Sequence, residues 1–317
     1  MSSDFIEPRA GVEAELIAAA EANAELNAES TSRSPLRIAM RGFMNHRLAM
    51  VALAFLIVVA LLAIFAPLIA PFDPNAVDIS HFRQPPSGTH WLGTDEAGRD
   101  VLSRLLYGAQ VSLTVGVTAA LSAGFIGLAL GLLAGFLGGW VDATIMRLTE
   151  VVLSFPSLIV IILLVAIVGP SIGSIVLVIA LFEWPTGCRI VRQVTRVTKE
   201  AGYVTAARSV GVGNFRLMSR HMIGSVTSPL TVIVTLLSAQ AILLEAALSF
   251  LGLGVNPPQA SWGGMLQSAQ SLTVLSNYWW LWLPPGVAIG LTVLAINFVG
   301  DGLRDAFDPR QEMRGKA

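Results

Sequence analysis

The sequence predicts an all-α integral membrane protein with six transmembrane helices and both termini in the cytoplasm. Three observations carry that expectation. Of 317 residues, 54% are hydrophobic and only 13% are charged, against roughly 25% charge in soluble domains. Long apolar runs recur along the chain, near the length of about 20 residues that crosses the hydrocarbon core. Basic residues gather before the first run and in one inter-span loop, as cytoplasmic segments do.

Residues 1–35 stand apart from the rest. Across residues 1–30, Asp4, Glu7, Glu13, Glu15, Glu21, Glu25 and Glu29 face a single arginine, Arg9. A secretory signal needs a basic start and an apolar core, so the segment is expected to be a disordered or loosely helical cytoplasmic tail. Residues 36–310 form the transmembrane domain, and 311–317 a second short tail. Arg33, Arg37, Arg41 and Arg47 precede the first span, Leu48 to Ala70, which Pro67 and Pro71 close. The polar stretch from Phe72 to Leu106 then lies outside by alternation. Within it, Asp100 to Tyr107 is expected as a helix along the membrane surface, with Val101, Leu102, Leu105 and Leu106 on its apolar side. Asp95 and Asp100 have Arg99 and Arg104 as candidate partners. No nucleophile or metal ligand accompanies these acids, so a structural role, or contact with a partner, is the expectation.

The second span, Tyr107 to Phe136, carries Gly127, Gly131 and Gly135 at intervals of four. Such a stripe lets another helix approach closely. No lysine follows in the frame of a phosphate loop. Gly138-Gly139-Trp140 turns the chain on the cytoplasmic side. The third span ends near Gly169-Pro170, and the fourth covers Ile172 to Cys188. The fifth runs from Val226 to Leu253 and the sixth from Leu281 to Val299. The 255–280 loop between the last two contains no Lys, Arg, Asp or Glu, as an outer loop should.

Between spans four and five lies the most informative stretch, Arg189 to Gly224. It holds Arg189, Arg192, Arg196, Lys199, Arg208, Arg216 and Arg220 against one acid, Glu200. Residues 198–210 have helical composition, and Gly211 and Gly213 interrupt it. Asn214 is placed to N-cap a short second helix, Phe215 to Ile223. That helix mixes Phe215, Leu217, Met218 and Met222 with basic residues, and its own loop offers nothing to bury them.

The run Tyr203-Val204-Thr205-Ala206-Ala207-Arg208-Ser209-Val210-Gly211 resembles the "EAA…G" loop of ABC-importer permeases, most like the dipeptide, oligopeptide and nickel subfamily. Ala206, Ala207 and Gly211 match the pattern, where small residues let two helices pack closely. Thr205 stands where the family has Glu, and Ile223-Gly224 where it has Leu-Pro. Two further stretches carry the likeness: Gly93-Thr94-Asp95 through Gly98-Arg99-Asp100-Val101-Leu102-Ser103-Arg104 to Tyr107-Gly108, and Glu245-Ala246-Ala247-Leu248-Ser249-Phe250-Leu251-Gly252 with Pro257-Pro258 and Ser261-Trp262-Gly263-Gly264. Asn297, Asp301, Arg304, Asp305 and Asp308-Pro309-Arg310 follow the family too.

The resemblance covers residues 36–310 and implies the six-helix fold of a type I ABC-importer permease. Residues 189–225 would be its ATPase-coupling loop, with Tyr203, Thr205, Ala206, Ala207, Gly211, Asn214, Phe215 and Arg216 at the contact. The implied partners are a homologous second permease, two ATPase domains and an extracytoplasmic substrate-binding protein in a prokaryotic plasma or inner membrane. The implied cargo is a short peptide, with a nickel chelate or another small solute as the alternative.

The remaining chemistry is sparse. Ionisable groups inside spans are costly and mark pathways or buried pairs; Glu150, Glu183 and Glu245 are the candidates. Glu150 lies three residues after Arg147, which suits an i,i+3 pair. Glu183 precedes Trp184-Pro185 and is a candidate for the translocation path. Glu245 is placed for helix packing or an inter-subunit contact. His46, His81, His90 and His221 lack metal-ligand spacing, and Cys188 is alone. A phosphate loop needs Gly-x4-Gly-Lys-Ser/Thr, and neither lysine, Lys199 or Lys316, sits in that frame. The chain is therefore expected to be no enzyme and to bind no cofactor or metal, with ATP and Mg held by partner subunits. Nothing points to nucleic acid. An ion-coupled secondary transporter using Glu183 or Glu245 is the rival of another class, and a membrane scaffold is the second.

Overall fold

A computed structural model describes Met40, residues 42–44 and residues 46–307. The acidic segment 1–35, the arginines at 33, 37 and 41, Asp308-Pro309-Arg310 and the tail 311–317 lie outside the described residues. The described chain is helical, with one isolated bridge between Thr94 and Asp100 as its β-type pairing. In order, the helices are α1 (Arg47–Ile64), α2 (Ala66–Ile69), α3 (Val101–Leu137), α4 (Gly139–Leu153), α5 (Ser157–Val168) and α6 (Ile172–Lys199). Then come α7 (Gly202–Ser209), α8 (Asn214–Phe250), α9 (Trp262–Leu266), α10 (Leu272–Asn277) and α11 (Trp279–Phe307).

Five of these, α1, α3, α6, α8 and α11, are long and apolar enough to cross a membrane, and the bent pair α4–α5 brings the total to as many as six. The expected third span is therefore broken. Its halves meet at 86° around Ser154-Phe155-Pro156, where proline disfavours a helical residue before it. The expected surface helix Asp100–Tyr107 is also corrected. It is the first two turns of α3, an unbroken helix of 37 residues and so about 55 Å long. Pro185, Pro229 and the pair Pro284-Pro285 sit inside helices that continue through them.

The core lies where α3, α5, α6 and α8 meet, around Val115, Ile161, Ile175, Ile179 and Leu248, each without exposed surface. Close approach is what the glycines on α3 provide. A Cβ on Gly131 would lie 2.7 Å from the Cys188 carbonyl oxygen and 2.7 Å from the Val191 Cβ, and one on Gly135 would lie 2.7 Å from the Arg192 carbonyl. The stripe thus faces α6 of the same chain.

At one end of the bundle, residues 72–100 fold over the start of α3 through their own polar groups. Asp100 N-caps α3, accepting from the Ser103 backbone and hydroxyl at 2.8 Å each, and its other oxygen meets His90 Nδ1 at 2.9 Å. Asp95 accepts from the Ala97 and Arg99 amides and pairs with Arg99 Nε at 2.8 Å and Arg104 Nε at 3.4 Å. Arg104 also donates to the Pro74 carbonyl at 3.0 Å. Asp78, on the exposed rim, is held below the usual carboxylate range by the Ser80 hydroxyl and then by His81. Gly98, at φ +73°, lies so close to the Asp78 carbonyl that a side chain has no room.

Candidate functional site

The opposite end of the bundle is basic, and its architecture follows from α6, α7 and the start of α8. α6 ends at Lys199, whose Nζ donates to the Phe136 carbonyl at 2.6 Å and so ties it to the end of α3. Arg192 on α6 forms a two-pronged ion pair with Asp142 on α4. α7 follows after two residues. Gly211 N–H donates to the Arg208 carbonyl at 3.0 Å and Val212 N–H to the Ala207 carbonyl at 3.1 Å, the two bonds of a Schellman close. Gly211 adopts φ +84° with nothing within 4 Å of its would-be Cβ. Its requirement is therefore conformational, and the packing role expected for it is corrected.

Two further expectations change here. The helix after Gly213 does not stop at Ile223; it runs on through a π-helical stretch, Leu217–Met222, into the span ending at Phe250. Asn214 is its first residue, Gly213 holds the cap position, and no side chain caps the helix. Nor are all its apolar residues left over. Leu217 and Met222 have no exposed surface and pack with Leu132, Phe136, Val191, Val204 and Val226, while Met218 is half-buried against the same cluster. Sequence reasoning missed this because the covering residues come from α3, α6 and α7.

Other residues of this corner stay exposed. Phe215 is 83% exposed, Val210 80% and Tyr203 53%. Thr205, Ala206, Gly211, Asn214 and Arg216 are exposed beside them, and Ala207 is half-buried beneath. An aromatic ring and a valine flanked by arginines, held by a locked turn on a buried base, form a firm apolar-and-basic surface. Exposed apolar patches of this kind mark contact sites. Thr205 takes no part in a charge interaction; its hydroxyl donates to the Ala201 carbonyl at 3.3 Å. Of the residues named from sequence for this loop, all but the half-buried Ala207 are exposed.

The two acids of the spans lie elsewhere and differ from one another. Glu245 on α8 has no exposed surface. Ser112 from α3 donates to one of its oxygens at 3.0 Å and Ser249 to the other at 2.7 Å. The Trp262 backbone N–H donates to Ser112 at 3.2 Å, and Ser261 reaches Ser249 at 3.3 Å. Glu245 therefore joins α3, α8 and α9 inside one chain, which is the helix-packing side of the expectation. Glu183 is 6% exposed, and among the described residues its one side-chain hydrogen bond is from Gln240 Nε2 at 3.5 Å on α8. Glu150 pairs with Arg147 at 2.9 Å on an exposed face, as the spacing predicts. Among the described residues no group of three or more His, Cys, Asp or Glu is placed to hold a metal. Cys188 is a free, buried thiol.

Comparison with known proteins agrees with this geometry. Residues 127–313 match the model of the family described as binding-protein-dependent transport system inner membrane component. Residues 34–86 match the N-terminal transmembrane domain of oligopeptide transport permease C. A protein of Brucella suis biovar 1 that carries the name of a peptide permease is 43% identical over 282 residues, covering 89% of this chain and 93% of that protein. A Brucella melitensis protein named for a peptide transport system permease is 40% identical over 283 residues, 89% of this chain and 95% of its own. The glutathione transport system permease protein of Escherichia coli is 41% identical over 279 residues, 88% and 91% of the two chains. The chain is a multi-pass inner-membrane protein and belongs to the binding-protein-dependent permease components of ABC importers.

Proposed function

We propose that this chain is one of two homologous permease subunits of an ATP-driven importer for short peptides. It has six spans and both termini inside. ATP is hydrolysed on separate ATPase subunits, which dock on the α7–α8 corner, and a separate binding protein delivers the cargo on the other side. The single observation that carries the coupling role is the exposed surface of Val210, Phe215 and Arg216 on a buried base of Val204, Leu217 and Met222. A surface left uncovered by the described residues, yet seated on a buried base of them, is what a docking helix requires. The names of the relatives favour peptide cargo, glutathione being itself a small peptide.

The test is uptake and substrate-stimulated ATP hydrolysis in liposomes holding this chain, its partner permease and the ATPase subunits. ATP-dependent uptake of a di- or tripeptide, lost when this chain is omitted, is expected. Uptake by the chain alone, driven by an ion gradient without ATP, would establish the secondary-transporter reading instead. Topology has its own check, with single cysteines at Ser87, Ser209 and Ser268 in a Cys188→Ser background. An impermeant thiol reagent on intact cells should label Ser87→Cys and Ser268→Cys and spare Ser209→Cys; labelling of the last would reverse the map.

A further inference from the structure

Below the Glu183–Gln240 pair, a groove of about 520 Å³ opens between α6, α8 and α11, lined by Ile190, Pro229, Val232, Leu236, Arg304 and Phe307. That size is ordinary for a small-molecule site. The pair and the groove share one track by helical register. Gln240 lies four residues beyond Leu236 on α8, and Glu183 lies seven before Ile190 on α6, so each falls on its helix's groove-facing side. Gln240 is itself exposed. The two helices offer this track a carboxyl group at one end, while α11 offers a guanidinium at the other.

Glu183 is the energetically costly group of this track. It is almost fully buried within a span, its amide neighbour is at the limit of hydrogen-bond length, and it makes no ion pair among the described residues. Glu245, deep in α8, is met by two hydroxyls; Glu183 is not. A poorly partnered acid in an apolar setting is costly and in a membrane protein marks a function. A passing cationic group would supply what the chain withholds.

We infer that this track is a transient site for a zwitterionic peptide, with the ammonium group drawn to Glu183 and Gln240 and the carboxylate to Arg304. A Cβ on Gly300 of α11 would meet the Leu236 side chain, which sets the two helices level there. Gln240 is one turn above that level and Arg304 one turn below, so the charged ends are about 12 Å apart. At about 3.5 Å per extended residue, a peptide of roughly three or four residues reaches both, and a dipeptide meets them in turn. The inference deepens the peptide reading and rests on it.

The experiment uses the assembled importer in liposomes, with Gln240→Cys or Ser228→Cys as the sole reactive thiol in a Cys188→Ser background. Rates of modification by a cationic (trimethylammonium-ethyl) and an anionic (sulfonato-ethyl) methanethiosulfonate are compared. Gln240→Cys should favour the cation by about tenfold, as charge-lined clefts do, and Glu183→Gln should abolish the preference while Glu183→Asp retains it. Ser228→Cys should favour the anion until Arg304→Gln removes that bias. Unreactive thiols would mean lipid or the second permease covers the track, and ratios indifferent to Glu183→Gln and Arg304→Gln would mean the charges do not act there. Either result overturns the inference. The wild-type complex's coupled ATPase activity, measured on the same liposomes, reports separately on the peptide-importer reading.

Discussion

The two ends of the bundle use their signature residues in opposite ways. At the end built from residues 72–108 and 245–266, nearly every polar signature residue is consumed within the chain. Asp100 caps a helix, Asp95 holds two arginines, and Glu245 binds two serines. At the end built from residues 189–225, the signature is spent on a locked turn, and Tyr203, Arg208, Phe215 and Arg216 stay exposed. One end is finished by its own sequence and the other leaves apolar and basic side chains uncovered. A motif's likeness to a family is thus silent about whether its residues act inward or outward; only the contacts separate the two.

That contrast can be broken by substitution. The largest loss of stability is expected for Asp100→Ala, which removes the cap of α3 and strands His90 and Ser103. Hydrogen bonds to a charged group are worth about 1.5–3 kcal/mol each, and a lost cap alone about 1 kcal/mol, so the variant should unfold well below the wild type in detergent. Next comes Gly131→Leu, which drives a side chain into the Cys188 carbonyl and Val191. Overpacking of this kind costs about 1–3 kcal/mol, and an unchanged melting temperature would mean α3 and α6 do not pack there. Phe215→Ala, by contrast, should stay within about 0.5 kcal/mol of wild type in the isolated chain, since a surface side chain packs on little. Smallest of all is Arg147→Ala: its pair with Glu150 is exposed on both sides, and thermal melting should barely move, because such pairs contribute about 0–1 kcal/mol.

Much of this was legible before the structure. Apolar runs gave the helices, and the Arg189–Gly224 charge run gave the basic end. Boundaries failed where a polar and an apolar signal meet within one helix. The polar start of α3 reads as a separate amphipathic helix because its charges stop at Tyr107-Gly108, yet α3 runs through that glycine unbroken. The continuity of α8 failed for a related reason: a basic segment joins an apolar one through a π-helical stretch that leaves no mark in composition. Gly211 was located by its motif, yet its physical reason, a positive φ, is invisible in sequence. Glu183 and Glu245 look alike as acids in apolar runs. Their difference lies in Ser112, which is 133 residues from Glu245, and no local pattern links them.

The central claim is that the α7–α8 corner exists to be covered by an ATPase subunit, and it is tested most directly by measuring that binding. The affinity of the purified ATPase subunits for the reconstituted permease pair is compared between wild type and Phe215→Ala, alongside the melting temperature of each permease. Aromatic anchors at an interface centre typically cost about 2 kcal/mol or more when truncated. The account therefore predicts at least about a thirtyfold loss of affinity, with loss of substrate-stimulated ATP hydrolysis and an unchanged melting temperature. Wild-type affinity and wild-type stimulation in Phe215→Ala, with the protein equally well folded, would contradict it.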